Sequence, residues 1–176
     1  MDAVQVRLQY HEHEQVGEQM GFAQRVLAGL VTMVTVALGL SLAVAGPAAA
    51  DTGTWKPYGN TNPITSSPST WSCSSTKTLA PNVGAQVCVI RSPSGVSVQG
   101  AIIVRNNRSS LFETDASVRL TGYPSGDALG VWDCPRSGVA KNSWSVCYGD
   151  TLVHQGDRAF AKGYANDVYL GSTRNI

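Results

Sequence analysis

The chain has 176 residues, of which 14% are charged, and thirteen Lys and Arg nearly balance twelve Asp and Glu. So even a balance excludes a protein held on nucleic acid by neutralising many phosphates. Beyond residue 50 the composition is poor in helix formers and rich in Ser, Thr, Gly, Val and Asn, which points to β structure.

The first nineteen residues, MDAVQVRLQYHEHEQVGEQ, carry Asp2, Glu12, Glu14 and Glu18 against Arg7. That is the wrong charge for the start of an export signal. Beginning at Met20 instead gives MGFAQRVLAGL, a short basic opening of ordinary shape, so residues 1–19 are expected to be untranslated. His11 and His13 have chelating spacing, but they precede the export segment and are not read as a metal site. From Val26 follows an apolar stretch long enough to span a bilayer. Arg25 stands ahead of it, Gly46-Pro47 breaks its helix, and Ala48-Ala49-Ala50 supplies the small residues that signal peptidase reads. No basic stop-transfer cluster follows. Residues 20–50 are therefore expected to form an export signal cleaved after Ala50, with Ala48 and Ala50 at the site. The alternative is an uncleaved membrane anchor.

Removal of residues 1–50 leaves 126 residues, enough for one domain, with eleven Lys and Arg against eight Asp and Glu. The local Arg105-Asn106-Asn107-Arg108 run is too short to make a nucleic-acid surface. Residues 51–70 are rich in Pro, Thr, Ser, Asn and Gly without periodicity, and read as a flexible leader. Trp55 and Tyr58 stand out in it as exposed aromatics able to dock on a ligand.

From Trp71 the chain turns to strands. Val83, Ala85, Val87 and Val89 alternate onto one face. After the turn Ser92–Gly95, residues 96–104 are apolar on both faces, which places them in the middle of a sheet. Residues 116–120, 128–134, 143–149, 157–164 and 166–170 continue the pattern, with turn chemistry at 123–127 and 154–157. Leu111–Asp115 reads as a loop. The expectation for 71–176 is an all-β domain, an antiparallel β-sandwich (immunoglobulin-like or related) of seven to eight short strands.

All four cysteines follow the export segment, so an even count predicts two disulfides. Spacings of C-x14-C and C-x12-C, without a C-x2-C knuckle and with His154 the only histidine beyond residue 50, exclude a zinc site. Cys73–Cys88 and Cys134–Cys147 are the expected pairs, because each flanks a turn. Loops of this length contribute about 3 kcal/mol each in the chain-entropy account. The rival Cys88–Cys147 bridge would have an immunoglobulin's long span, but the tryptophan and tyrosine that accompany that bridge are missing.

The order of an export signal, Trp71-Ser72-Cys73, Gln86-Val87-Cys88-Val89, Val104-Arg105-Asn106-Asn107 and a late cysteine pair resembles a group of small secreted actinobacterial proteins over roughly residues 71–170. Those relatives have no assigned activity. The resemblance implies an extracellular, disulfide-held β domain and transfers no catalytic residue.

Catalysis needs groups that move a proton or activate a nucleophile. His154 lies in a polar turn, and no G-x-S-x-G elbow exists. Glu113 with Asp115, and Asp127 with Asp133, are the paired carboxylates that glycoside hydrolysis would use, but both pairs read as loop and turn residues. No enzyme, cofactor or metal is expected. Two noncatalytic readings remain. In one, aromatics bind an extracellular polymer or protein, with Trp55 and Tyr58 as candidates; Trp71, Trp132 and Trp144 lie beside cysteines and read as core. In the other, Pro135-Arg136-Ser137, anchored by Cys134, is a bait loop for a trypsin-like protease, since an extended segment beside a disulfide loses little entropy on docking. Its Cys-Pro-Arg is similar to the reactive segment of the secreted subtilisin inhibitors of the same bacteria. The partner cysteine, however, lies far closer here than in that family, and the bland alternative is a simple turn leaving strand 128–134.

Overall fold

The computed structural model describes residues 49–176. The apolar segment read as an export signal lies outside them through Ala48, as does the His11/His13 pair, and Ala50 stands in an unpaired stretch just before the first strand. Twelve strands and no helix make up the described residues: β1 (Asp51–Thr52), β2 (Thr54–Gly59), β3 (Thr70–Cys73), β4 (Lys77–Ala80), β5 (Val83–Arg91), β6 (Ser97–Asn106), β7 (Phe112–Tyr123), β8 (Ala128–Val139), β9 (Ser143–Tyr148), β10 (Leu152–Val153), β11 (Arg158–Ala165) and β12 (Val168–Ser172).

They form two sheets packed as a β-sandwich. The first has the order β1-β8-β7-β11-β12, and the second β2-β9-β6-β5-β3, with β10 on β6 and β4 on β5. All pairings are antiparallel except the short contact of β1 with β8. The chain passes from β6 to the β7–β8 hairpin in the first sheet, then returns as β9 beside β6, in Greek-key fashion. The seven or eight strands expected correspond to the longer ones. The extra pieces are edge strands of two to six residues, too short to announce themselves by alternation.

Val83, Ala85, Val87 and Val89 all face the space between the sheets, as the alternation predicts, and meet Leu120, Trp132, Ala161 and Leu170 there. The opposite faces of β5 and β6 are also buried. Cys88, Ile90, Ala101, Ile103 and Val146 form a second cluster roofed by Tyr58, Ile64, Trp71, Trp144 and Tyr148. Strand β6 is accordingly central, which explains its apolar residues on both faces.

Three expectations need correction. Residues 51–70 are not a flexible leader. Strand β2 pairs with β9 from Thr54↔Tyr148 to Gly59↔Trp144, and Asn62 ties down the following turn by accepting the Ile64 amide on Oδ1 at 2.9 Å. Pro57 hid this strand, but β2 is an edge strand, where a missing N–H need break no ladder. Second, Leu111–Asp115 is no loop, since Phe112 already begins β7. Third, Pro135-Arg136-Ser137 is not a turn leaving the strand, because β8 continues through it to Val139. The register slips between Thr114 and Ala116, so Asp115 faces the Pro135–Arg136 step across a bulge. A bulge is one of the few places where a sheet accepts proline. The turn itself lies at Ala140–Asn142, with Asn142 at φ 47°.

Both disulfides pair as expected, Cys73–Cys88 and Cys134–Cys147. The first joins directly opposed residues of β3 and β5 in one sheet. The second does not close a hairpin within a sheet, because it staples β8 of the first sheet to β9 of the second with Cα atoms 6.0 Å apart. Beside this staple lies Trp132, 2% exposed, whose indole donates from Nε1 to Asp150 Oδ2 at 3.1 Å. Its ring occupies the space that side chains at Gly130 and Gly149 would need: a Cβ there would come within 2.2 and 2.4 Å of ring carbons.

Two polar devices complete the frame. Asn106, wholly buried, sends Nδ2 toward the carbonyls of Ser110, Val139 and Ala140 and accepts the Arg108 amide. Arg91 gathers the carbonyls of Gly95, His154, Asp157 and Ile176, tying two turns and the C-terminal segment to β5.

Candidate functional site

The sequence-predicted residues divide over three places. Trp55 and Tyr58, both on β2, do not act together. Trp55 turns toward the inter-sheet core and donates from Nε1 to the Pro135 carbonyl at 2.8 Å. Tyr58 lies with Thr54 and Lys56 on the outer side of the second sheet. Of the two, only Tyr58 lines the groove described next. Trp55 instead braces the Pro135–Ser137 segment.

Around Tyr58 runs an open groove of about 530 Å³. Strand β2 contributes Lys56 and Tyr58, β3 contributes Trp71, β6 contributes Gln99, and Tyr148 with the following Asp150 and Thr151 closes the far side. These strands meet because β2 and β3 are the two edges of the second sheet, while β9, β6 and β5 form its floor. The Trp71 and Tyr148 rings stand edge to face, 6.3 Å between centroids and 66° between planes. The Tyr58 and Tyr148 hydroxyls lie 2.7 Å apart, and Lys56 Nζ sits 5.3 Å from the Tyr58 ring centre.

The electrostatics of this cluster follow from its burial. Desolvation first, and then the neighbouring Tyr58 hydroxyl, hold the Tyr148 phenol far above the usual phenol range. The Tyr148 phenol therefore stays neutral. One proton is used between the two oxygens, and the other remains for an outside acceptor. Trp71 Nε1 is also buried and has no hydrogen-bond partner. The groove thus combines an aromatic corner, a ring of polar groups (Lys56, Gln99, Asp150) and two donor hydrogens free of internal partners. Sequence reasoning finds Tyr58 but misses Trp71 and Tyr148. Trp71 reads in sequence as packing on a disulfide, and nothing local says that residues 58, 71 and 148 converge.

The bait-loop residues make a different arrangement. Arg136 is exposed, and its guanidinium pairs with Glu113 at 3.5 Å. Its neighbours on both sides are engaged, Ser137 opposite Thr114 and the Pro135 carbonyl with Trp55. Of the paired carboxylates, Glu113 and Asp115 are likewise occupied. Glu113 meets Arg136, and Asp115 Oδ1 accepts the Asn166 amide at 3.0 Å in the β11–β12 turn. His154 contacts neither Asp150 nor Asp157 through its ring, since Nε2 is buried without a partner and Asp150 takes the Trp132 indole. Arg105 of the basic run is engaged within the fold. It bonds Asn107 and Asn142, both at 2.6 Å, and lies over Trp144. Among the described residues, no cluster of His, Cys, Asp and Glu has the geometry to hold a metal.

Fold and site together define a disulfide-stapled β-sandwich with an aromatic groove on one outer face. No protein-family model matches the chain, and no curated protein matches it in sequence.

Proposed function

We propose that the protein is exported and acts outside the cell as a noncatalytic binding module, taking a sugar chain of a wall or chitin-like polymer into the groove of Tyr58, Trp71 and Tyr148. The observation that carries this reading is the corner made by those three side chains. Sugar rings present apolar C–H faces that settle on aromatic rings, and hydroxyls that need donors and acceptors at the rim. The groove offers both, with the Trp71 and Tyr148 rings as the apolar corner, the spare phenol hydrogen as donor and Asp150 and Gln99 beside it. An open trough also suits a chain that continues past the site at both ends.

Export is supported by the two disulfides, which persist in oxidising compartments. It is supported also by Asp51 opening β1, so that cleavage after Ala50 would leave every strand of the described domain whole. An anchor left uncleaved would present the same domain at the membrane. The resemblance to small secreted actinobacterial proteins agrees with an extracellular setting. The protease-inhibitor reading through Pro135, Arg136 and Ser137 draws no support from a segment paired inside β8.

The test is depletion of the purified protein by insoluble chitin and by peptidoglycan sacculi, with Tyr58→Ala and Trp71→Phe alongside. Retention on one polymer, weakened about tenfold or more by Tyr58→Ala with unfolding midpoints preserved, is the expected result. Equal retention of wild type and Tyr58→Ala would show that the groove is not the binding site.

A further inference from the structure

The outer face of the first sheet, on the opposite side of the sandwich, carries an arrangement that folding alone disfavours. Arg119 of β7 and Lys162 of β11 are directly opposed partners across the strands. Like charges in that position repel and destabilise the sheet. Neither makes an ion pair, since Arg136–Glu113 is the only one among the described residues, and Asp133, opposite Ser117, stands diagonal to Arg119 rather than against it. A third cation follows along the strands. Arg158 stands opposite Tyr123, its guanidinium 4.8 Å from that ring's centre. Beside the Arg119–Lys162 pair, Tyr164 and Tyr169 lean together with ring centres 5.1 Å apart, and they are 49% and 46% exposed. The two tyrosines and the two cations share the walls of a shallow trough of about 430 Å³.

We infer that this face is a second binding surface, for a linear anionic glycan whose carboxylate or phosphate groups fall between Arg119, Lys162 and Arg158 while its rings lie on Tyr164 and Tyr169. The rows from Ser117 to Tyr123 give a strip of roughly 20 Å at about 3.4 Å per residue. An anion between Arg119 and Lys162 turns their repulsion into two attractions, so occupancy relieves what folding left strained. Asp115, Asp133 and Asp167, with Arg136, border the adjoining hollow, which shares Ser117 and Tyr164 with the trough. Those carboxylates disfavour a flat anionic membrane, which would cover the whole face, but leave room for a narrow chain on the basic strip. This surface shares no residue with the groove of the second sheet and stands or falls separately from it.

The discriminating variant is Arg119→Glu. It places opposite charges across the strand pair, so it should raise the unfolding midpoint while abolishing capture of the polyanion. The probe is polygalacturonate, measured by titration at two salt concentrations. Neutral dextran, phosphatidylglycerol vesicles and single-stranded DNA serve as competitors. The proposal expects salt-sensitive binding of polygalacturonate that no competitor matches. It also expects a loss of about tenfold or more in Arg119→Glu and in Lys162→Glu, each folded at least as stably as the wild type. A weaker loss in Tyr169→Ala would report the ring contact. Absence of polygalacturonate binding overturns the proposal. So does binding that Arg119→Glu leaves intact, and so does equal or tighter binding of vesicles, dextran or DNA.

Discussion

Asn106→Asp exchanges a single NH2 group for oxygen at a side chain with no exposed surface. In the native protein the amide nitrogen faces the carbonyls of Ser110, Val139 and Ala140 at 2.9, 3.0 and 3.0 Å. Its two hydrogens serve the three acceptors, so one bond is shared, while Oδ1 accepts the Arg108 amide at 3.0 Å. The aspartate keeps that acceptor but loses both donated bonds, worth about 1 kcal/mol each, and turns a carboxyl oxygen toward carbonyls now left unsatisfied. A loss of about 3 kcal/mol or more at pH 7 follows, lowering the midpoint of a domain this size by about 10 °C. The pH dependence has a definite sign. Burial among acceptors raises the folded pKa above the unfolded value of about 3.9, so the folded state holds the proton longer and stability falls as pH rises from about 4 through the folded pKa. Below pH 4 the protonated carboxyl can donate one bond and recover part of the loss. Urea unfolding at pH 7 and at pH 3.5 measures both quantities. An aspartate variant within about 0.5 kcal/mol of wild type at pH 7, or equally unstable at both pH values, would show that the Asn106 amide is not the buried donor described.

Gly149→Ala places a Cβ 2.4 Å from the Trp132 ring, and should cost about 2 kcal/mol with a changed near-ultraviolet circular dichroism spectrum, as overpacking does. Arg91→Ala frees four carbonyls of two turns and the C-terminal segment. The expected signature is faster amide exchange at the Ala159 and Ile176 amides, which pair in that segment, with the centre of β6 still protected. Because burial and Tyr58 hold the Tyr148 phenol neutral, ligand affinity in the groove should stay flat from pH 6 to 9; a fall below pH 9 that tracks phenol ionisation would contradict the assignment. Trypsin- and subtilisin-like proteases should be uninhibited by the protein, with Arg136→Ala indistinguishable from wild type, and nanomolar inhibition lost on that substitution would restore the bait-loop reading.

The parts legible in the sequence are those decided by local pattern. Alternation from Val83 to Val89 marks a core face without outside information, and two-sided apolarity marks β6 as central. Cysteine spacing is enough for the pairing but not for its meaning, because the spacing from Cys134 to Cys147 looks the same whether the bridge closes a hairpin or staples two sheets. Pro135 and Pro57 mislead for one reason. Proline ends a strand in a sheet's interior, and only the tertiary pairing reveals that one lies at a bulge and the other on an edge. The groove is the least legible feature. Tyr58, Trp71 and Tyr148 come from three strands that the sheet order brings together, and each alone is an ordinary aromatic. Arg119 and Lys162 are likewise ordinary surface cations in sequence, since their opposition depends on the register of β7 with β11.

The groove can be tested at its centre by following the four tryptophan indole N–H resonances while soluble chitin or peptidoglycan fragments are added. Trp55 and Trp132 are committed to Pro135 and Asp150 inside the protein, whereas the Trp71 indole has no partner. The Trp71 signal should shift with saturation while those of Trp55 and Trp132 stay in place. A saturating shift at Trp55 with Trp71 unmoved, or no shift at any indole, would contradict binding in the groove.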